Sequence, residues 1–246
     1  GGIVMGFFED SFLLSASEAD LHRRMKLSAV LRHMQDAASR HLDALGYPYE
    51  KLMEDRQVFL LSKVEVLFSG SPVPEQKVTA YTRPHPPKGA FFLRETHLSA
   101  DGRPLIFGRA AWILADYDTH QVLRPSAFGW NYPFDQADFD SSIARRRIRE
   151  PEGAALLGDR PIRYSDLDGN RHVNNAVYGD ILFDFLPENW LRGRLIHRAV
   201  LLYEHEARWS DTLQIKGCQI DPNSWYLAGY RDGERCFAAE VAFNHV

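Results

Sequence analysis

One series of elements runs through this sequence twice, and that repetition restricts the architectures open to it. "FFEDSFLLSAS" (7–17) reads as a strand. "LSAVLRHMQDAASRHLDALG" (27–46) follows, with apolar or small residues at Leu27, Val30, Leu31, Met34, Ala37, Ala38, Leu42 and Leu45. That spacing predicts a helix with one apolar stripe. Arg32, His33, Gln35, Asp36, Arg40 and Asp43 take the other face, and Gly46 ends it. Strands are predicted at about 57–68, 75–84, 90–99 and 104–116, with Asp101-Gly102 forming a hairpin between the last two. Patterning then fades until about 160. It returns as a short strand (161–166), a helix over 174–186 and strands at 196–208, 211–220, 224–231 and 234–244. The second helix carries Val177, Tyr178, Ile181, Leu182, Phe185 and Leu186 on one face, and Asp232-Gly233 joins the last two strands.

A helix with an apolar stripe must bury it, and a meander of strands supplies the cover. The expected class is therefore α+β: a tandem, or double, hotdog in which two long helices are each wrapped by an antiparallel sheet. Residues 1–125 form the first repeat, 126–160 a linker, and 161–246 the second repeat, which carries the most unusual motif. The alternative is a pair of independent α+β domains on a flexible tether. Each helix is apolar enough to need a sheet over it, which favours the fused unit.

Composition narrows the function. A net charge of −4 argues against nucleic acid as a main partner. The apolar run "VFLLSKVEVLF" (58–68) is broken by Lys63 and Glu65, well short of the ~20 residues of a membrane span. Cys218 and Cys236 have no metal-type spacing, and ten histidines are scattered without paired-ligand spacing, so neither a metal nor another cofactor is expected. No basic segment followed by a long apolar one opens the chain. A cytoplasmic protein is the expectation.

"SDLDGNRHVNNAVY" (165–178) crowds polar groups just before the second helix. In an extended chain Asp166, Asp168, Asn170 and His172 would share one side. A calcium loop fails, because Arg171 stands where that loop needs Gly and Val177 where it needs the bidentate Glu. Helix capping explains one asparagine only. The longer stretch "SDLDGNRHVNNAVYGDILFDFLP" closely resembles the second-half motif of acyl-acyl carrier protein (acyl-ACP) thioesterases. That motif, D-x-N-x-H-V-N-N-x-x-Y, falls on Asp168, Asn170, His172, Val173, Asn174, Asn175 and Tyr178. "LLYEHEARWSDTL" (201–213) resembles the family's strand with a catalytic Glu followed by Cys, matching Glu206 and Ala207. "WILADYDTHQVLRP" (112–125) resembles the strand before the family's linker. A looser form of the motif occurs in hotdog acyl-CoA thioesterases.

The resemblance implies hydrolysis of fatty acyl-ACP to free fatty acid and holo-acyl carrier protein. The partner is then a carrier bearing a 4'-phosphopantetheine-linked acyl chain, with no nucleic acid and no membrane involved; a homodimer is left open. Ala207 removes the thiol that a cysteine-protease-like route would need, so hydrolysis is expected by water activation without a cysteine nucleophile. The catalytic set is Asp168, Asn170, His172 and Glu206. Glu206 or Asp168 can serve as base, Glu206 being favoured, with Asp168 orienting its neighbours or attacking directly to give an anhydride. Backbone N–H groups around Asn174 and Asn175, at the helix start, would polarise the thioester carbonyl. Glu206 could also be a rim residue beside Glu204 on one strand face. The first half has Asp20 and His22 but no paired asparagines, so one site per chain is expected, with the first half as its wall. An acidic carrier calls for a basic patch, and Arg145, Arg146, Arg147 and Arg149 are the densest run, with Arg192, Arg194 and Arg198 a second group. The alternatives are an acyl-CoA thioesterase on the same scaffold and a non-catalytic acyl-carrier-binding module.

Overall fold

Helix α1 (Leu27–Ala44) forms where the stripe predicts it, burying Leu27, Val30, Leu31, Met34, Ala37 and Ala38, and also His41. Gly46, at φ +88°, makes the left-handed turn that stops it. In the computed structural model, which describes residues 6–129, 134 and 138–246, this helix is wrapped by six strands of the first half. They are β1 (Phe8–Leu13), β2 (Gln57–Phe68), β3 (Lys77–Lys88), β4 (Phe91–Ala100), β5 (Arg103–Asp116) and β6 (Val122–Leu123), with a short α2 (Tyr49–Glu54) before β2. The second half adds β7 (Ala155–Pro161), α3 (Val177–Asp184), α4 (Glu188–Leu191), β8 (Arg194–Tyr203), β9 (Thr212–Asp221), β10 (Ser224–Arg231) and β11 (Glu234–His245). Both Asp-Gly pairs are hairpin turns with two positive φ values: Asp101 and Gly102 at +50° and +72°, Asp232 and Gly233 at +49° and +79°.

Among the described residues all strands join one antiparallel sheet, in the order β1-β3-β4-β5-β2-β8-β11-β10-β9-β7, with β6 on β5. The halves meet where β2 pairs with β8, from Lys63 opposite Leu202 to Leu67 opposite Arg198. Arg109 of β5 and Arg198 of β8 both hold Glu65 beside that seam, at 2.8 Å each. α1 and α3 cross on the inner face. Ser28 Oγ donates to Asp180 Oδ1 at 2.5 Å, and Gly179 lets the backbones meet. Inward residues of β8, such as Ala199 and Leu201, belong to the main core, while Val200 and Leu202 alternate outward.

Three expectations shift. The second helix is not long: it starts at Val177 rather than 174. The Asn174 side chain accepts the Ala176 N–H (2.9 Å) and so replaces the first helical turn. The short strand lies at 155–161, inside the expected linker, and 164–166 is a 3-10 turn instead. As an edge strand with Ala155, Leu156 and Leu157 all exposed, β7 lacks the alternation that would mark it. The described end of the expected linker also lies against the sheet's outer face. Ile143 and Ala144 pack on Leu93 and Ala111, and Ile148 on Val200 and Leu202. Lys63 Nζ donates to the carbonyls of Ala144 (2.9 Å) and Arg146 (3.0 Å), so residues 143–148 are strapped across the sheet. Part of the expected linker, 130–133 and 135–137, lies outside the described residues. No helix among the described residues is long and apolar enough to cross a membrane.

Candidate active site

The polar stretch before α3 is a tight hairpin and not an extended segment. Leu167 bridges Val173, the Asp168 N–H donates to the His172 carbonyl (3.0 Å), and the Arg171 N–H donates to the Asp168 carbonyl (3.0 Å). Asp168 Oδ1 accepts the Asn170 N–H at 2.9 Å, and Arg171 takes φ +64°. A sequence of Asp-Gly-Asn favours this chain reversal over a strand. The four polar groups therefore do not line up on one side. Asp166 is buried and held by both guanidinium nitrogens of Arg160 (2.7 and 2.9 Å) and by the Arg163 N–H (2.9 Å). Asp168 braces the turn, while Asn170 and His172 reach a cleft.

Arg160 beside Asp166 holds that carboxyl below the usual range. A carboxyl depressed in the folded state stabilises the fold fully above the ordinary aspartate value of about 3.9, and that contribution fades as pH falls through the lower folded value. Asp166→Asn is expected to destabilise the protein at pH 7, with the difference from wild type shrinking toward pH 3. Denaturant unfolding at the two pH values checks this.

Main-chain bonds fix the hairpin against the loop after β8. The Val173 N–H donates to the Ala207 carbonyl (3.0 Å), and His172 bridges Arg208. β8 ends at Tyr203, because the N–H groups of Glu204 and His205 both turn to the Cys236 carbonyl (2.8 and 3.1 Å). Glu206 is thus a loop residue, not a member of the β8 face. Glu204, which the alternation pairs with it, is instead bound to Arg235 (2.6 Å). Arg231 steadies the loop by donating to the Glu206 carbonyl (2.7 Å) and pairing with Asp211 (3.2 Å).

These ties bring two residues 34 positions apart together: His172 Nε2 lies 3.0 Å from Glu206 Oε2. Both face an open cleft of about 300 Å³ that Asn170 also lines. The first half closes the other side with Val58 and Leu60 of β2 and with Tyr117 and His120 of the β5–β6 turn. His120 Nδ1 is 3.6 Å from the same Glu206 oxygen, and its ring stands edge-on to that of His172 at 5.9 Å. The bond from His172 lowers the Glu206 pKa; partial burial opposes this, and attraction to nearby basic groups, Arg208 among them, adds to the lowering. Glu206 is a carboxylate beside a cleft, which is the state a base needs.

The main-chain donors narrow from two to one. The Asn174 N–H is taken by the Asp166 carbonyl (2.9 Å). Among the described residues the Asn175 N–H has no acceptor, and its carbonyl accepts the Tyr203 hydroxyl (3.2 Å). Burial drives the Tyr203 and Tyr178 phenols upward, so both stay neutral.

Comparison with known proteins bears on this geometry. Residues 6–125 match the profile of the acyl-ACP thioesterase N-terminal domain, and residues 151–239 that of the C-terminal domain. This chain belongs to the acyl-ACP thioesterase family. It is a thioester hydrolase. Its fold is similar to that of an acyl-ACP thioesterase from Bacteroides thetaiotaomicron, with a TM-score of 0.86 at 20% identity over 97% of this chain and 98% of that one. It is equally similar to the 12:0-ACP thioesterase of Umbellularia californica, with a TM-score of 0.86 at 18% identity over the full length of both. No curated protein sequence matches it.

In this thioesterase Ala207 is 1% exposed, belongs to the main core and is not among the residues that line the cleft. Burial raises the thiol pKa of both Cys218 and Cys236, which disfavours a thiolate at either. In the basic run, Arg145, Arg147 and Arg149 are exposed, whereas Arg146 pairs with Glu240 (3.1 Å). Of the second group, Arg198 is held by Glu65, and Arg194 lies 4.5 Å over the Trp190 ring. Val58, Leu60, Tyr117, His120 and Arg208 were not foreseen as site residues. Only His120 left a trace, as a lone imidazole in the polar turn "DYDTHQ" (116–121).

Proposed function

We propose that this thioesterase cleaves fatty acyl-ACP by direct attack of water, with Glu206 as the general base. The observation that carries the reading is the 3.0 Å contact between His172 Nε2 and Glu206 Oε2 at the wall of the cleft. Glu206 takes a proton from water as the water oxygen adds to the thioester carbonyl carbon. The oxyanion is met by the Asn175 N–H, a donor of a kind worth about 3–4 kcal/mol in the transition state, and Asn170 helps to hold the carbonyl. Collapse breaks the C–S bond and frees the pantetheine thiol. Asp168 holds the hairpin that presents Asn170 and His172 and does not attack, a role supported by its bond to the Asn170 N–H. With alanine at 207 no acyl-cysteine forms.

The carrier docks on Arg145, Arg147 and Arg149. Their exposure supports this, as does the strapping of their segment to Lys63, three residues along β2 from Leu60 at the cleft. Exposed charges of this kind steer encounter more than they bind. The test compares one acyl group on acyl carrier protein and on coenzyme A, by thiol release. Changing all three arginines to glutamate is expected to lower kcat/KM for acyl-ACP by about tenfold or more at low salt, with little effect on acyl-CoA. Equal loss on both carriers, or a wild-type preference for the CoA ester, defeats the docking assignment.

A further inference from the structure

We infer that His120, contributed by the first half, is the proton relay of this site: it accepts from Glu206 the proton taken from water and hands it to the departing thiolate. The inference rests on Glu206 being the base. It assigns the N-terminal half a chemical part beyond that of a wall.

The geometry leads there in steps. Glu206 presents one oxygen, Oε2, to both imidazoles, with His172 Nε2 at 3.0 Å and His120 Nδ1 at 3.6 Å. Among the described residues Oε1 has no partner, which leaves it free for water. The two rings are not equivalent. The His172 side chain is 18% exposed and close against the carboxylate, whereas that of His120 is 44% exposed and lines the open cleft. A thioester presented on a phosphopantetheine arm arrives from solvent, so its sulfur meets the more open ring.

The mount of His120 is stiff. Asp116 Oδ1 accepts the N–H groups of Asp118 (2.9 Å) and Thr119 (2.8 Å), and the His120 N–H donates to the Asp116 carbonyl (2.9 Å). Asp118 is clamped by Arg56, whose guanidinium lies 4.5 Å over the Tyr117 ring. His120 itself takes φ +60°, and this turn carries its side chain to within 3.6 Å of Glu206.

Chemistry selects the imidazole. The other groups around Glu206 are Arg208 on its own loop, Arg171 on the hairpin, Tyr117 beside His120, and Arg231 of β10 with its partner Asp211. Guanidinium groups do not give up protons, and a phenol is a poor acceptor. An imidazole both takes and gives a proton near neutrality. In the balanced step, the water O–H breaks as the O–C bond forms, and its proton goes to Glu206. The carboxyl turns to bring that proton from Oε1 to His120, whose Nδ1 closes from 3.6 Å to hydrogen-bond distance to take it, and the resulting imidazolium gives its Nε2 proton to sulfur as the C–S bond breaks. Acyl thioester and water become carboxylic acid and thiol, Glu206 is again ionised, and exchange with solvent restores the ring's tautomer.

The test uses His120→Asn, since asparagine tolerates the left-handed backbone that the turn requires. Two thioesters of one fatty acid are compared. One is the acyl-ACP, whose leaving group is an alkyl thiol and a poor anion at neutral pH. The other is an aryl thioester of an acidic aromatic thiol that leaves as a stable anion. His120→Asn is expected to lose about 10²-fold or more in single-turnover rate on acyl-ACP and less than about threefold on the aryl ester. Equal loss on both substrates marks a merely structural role and overturns the relay, as does no loss on either. Glu206→Gln, run alongside, is expected to fail on both. If it retains both activities, the base assignment falls, and that result is distinct from any given by His120→Asn.

Discussion

Glu206→Gln is expected to lower kcat/KM for fatty acyl-ACP by about 10²–10⁴-fold, the usual contribution of a positioned base. The change is isosteric. The amide oxygen still accepts from His172, so ring and loop stay in register. Arg231 grips the Glu206 carbonyl and not its side chain, and the loop anchor is untouched. The side chain is 29% exposed, so no deep cavity or buried unpaired charge is created, and Tm should move by no more than about 2 °C. What disappears is the capacity to hold a proton. Thiol release under single-turnover conditions isolates the chemical step from product release. A variant retaining more than a tenth of wild-type activity would show that proton abstraction happens elsewhere, with Asp168 the next group to try.

Gly179→Val is expected to cost about 3 kcal/mol or more of stability, which for a chain of this size lowers Tm by about 6–12 °C. A Cβ at position 179 would stand 2.8 Å from the Ser28 N, 3.0 Å from its Cα and 3.2 Å from the Leu27 carbonyl carbon. All three are main-chain atoms of the first turn of α1, so no side chain can swing aside. Alanine meets the same clash but regains about 1 kcal/mol of helix propensity, and a smaller loss is expected for it. Valine adds two methyls and no such gain. α1 and α3 must then part, and the Ser28–Asp180 hydrogen bond parts with them. Thermal unfolding of the two variants reads the difference. A Gly179→Val protein that melts with wild type would mean that the crossing of the two helices is not a fixed contact.

Periodicity made much of the fold legible. α1 could be read because its stripe is continuous over 18 residues, and the two hairpins because Asp-Gly pairs tolerate the positive φ that their turns need. β7 escapes a reading of the sequence because an edge strand exposed on both faces has no alternation to read. α3 is shorter than its apolar spacing predicts because side-chain competition from Asn174 leaves no mark on that spacing. Of the motif from Asp168 to Tyr178, Asn170 and His172 reach the cleft, but its polar alternation suggests a strand where a hairpin stands.

By itself, then, the order of residues determined the doubled helix-and-sheet plan, the absence of a usable thiol at 207, and which carboxylates and imidazoles were available. These follow from local propensity and from the chemical identity of side chains, and both are written one residue at a time. Only the tertiary structure decided that Glu206 leaves its strand, that Asn174 gives up its N–H to Asp166, and that His120 crosses from the other half to the same oxygen as His172. Those outcomes depend on the pairing of β2 with β8 and on main-chain bonds between distant segments. Such pairings are set by the packing of the whole sheet, which no window of sequence contains.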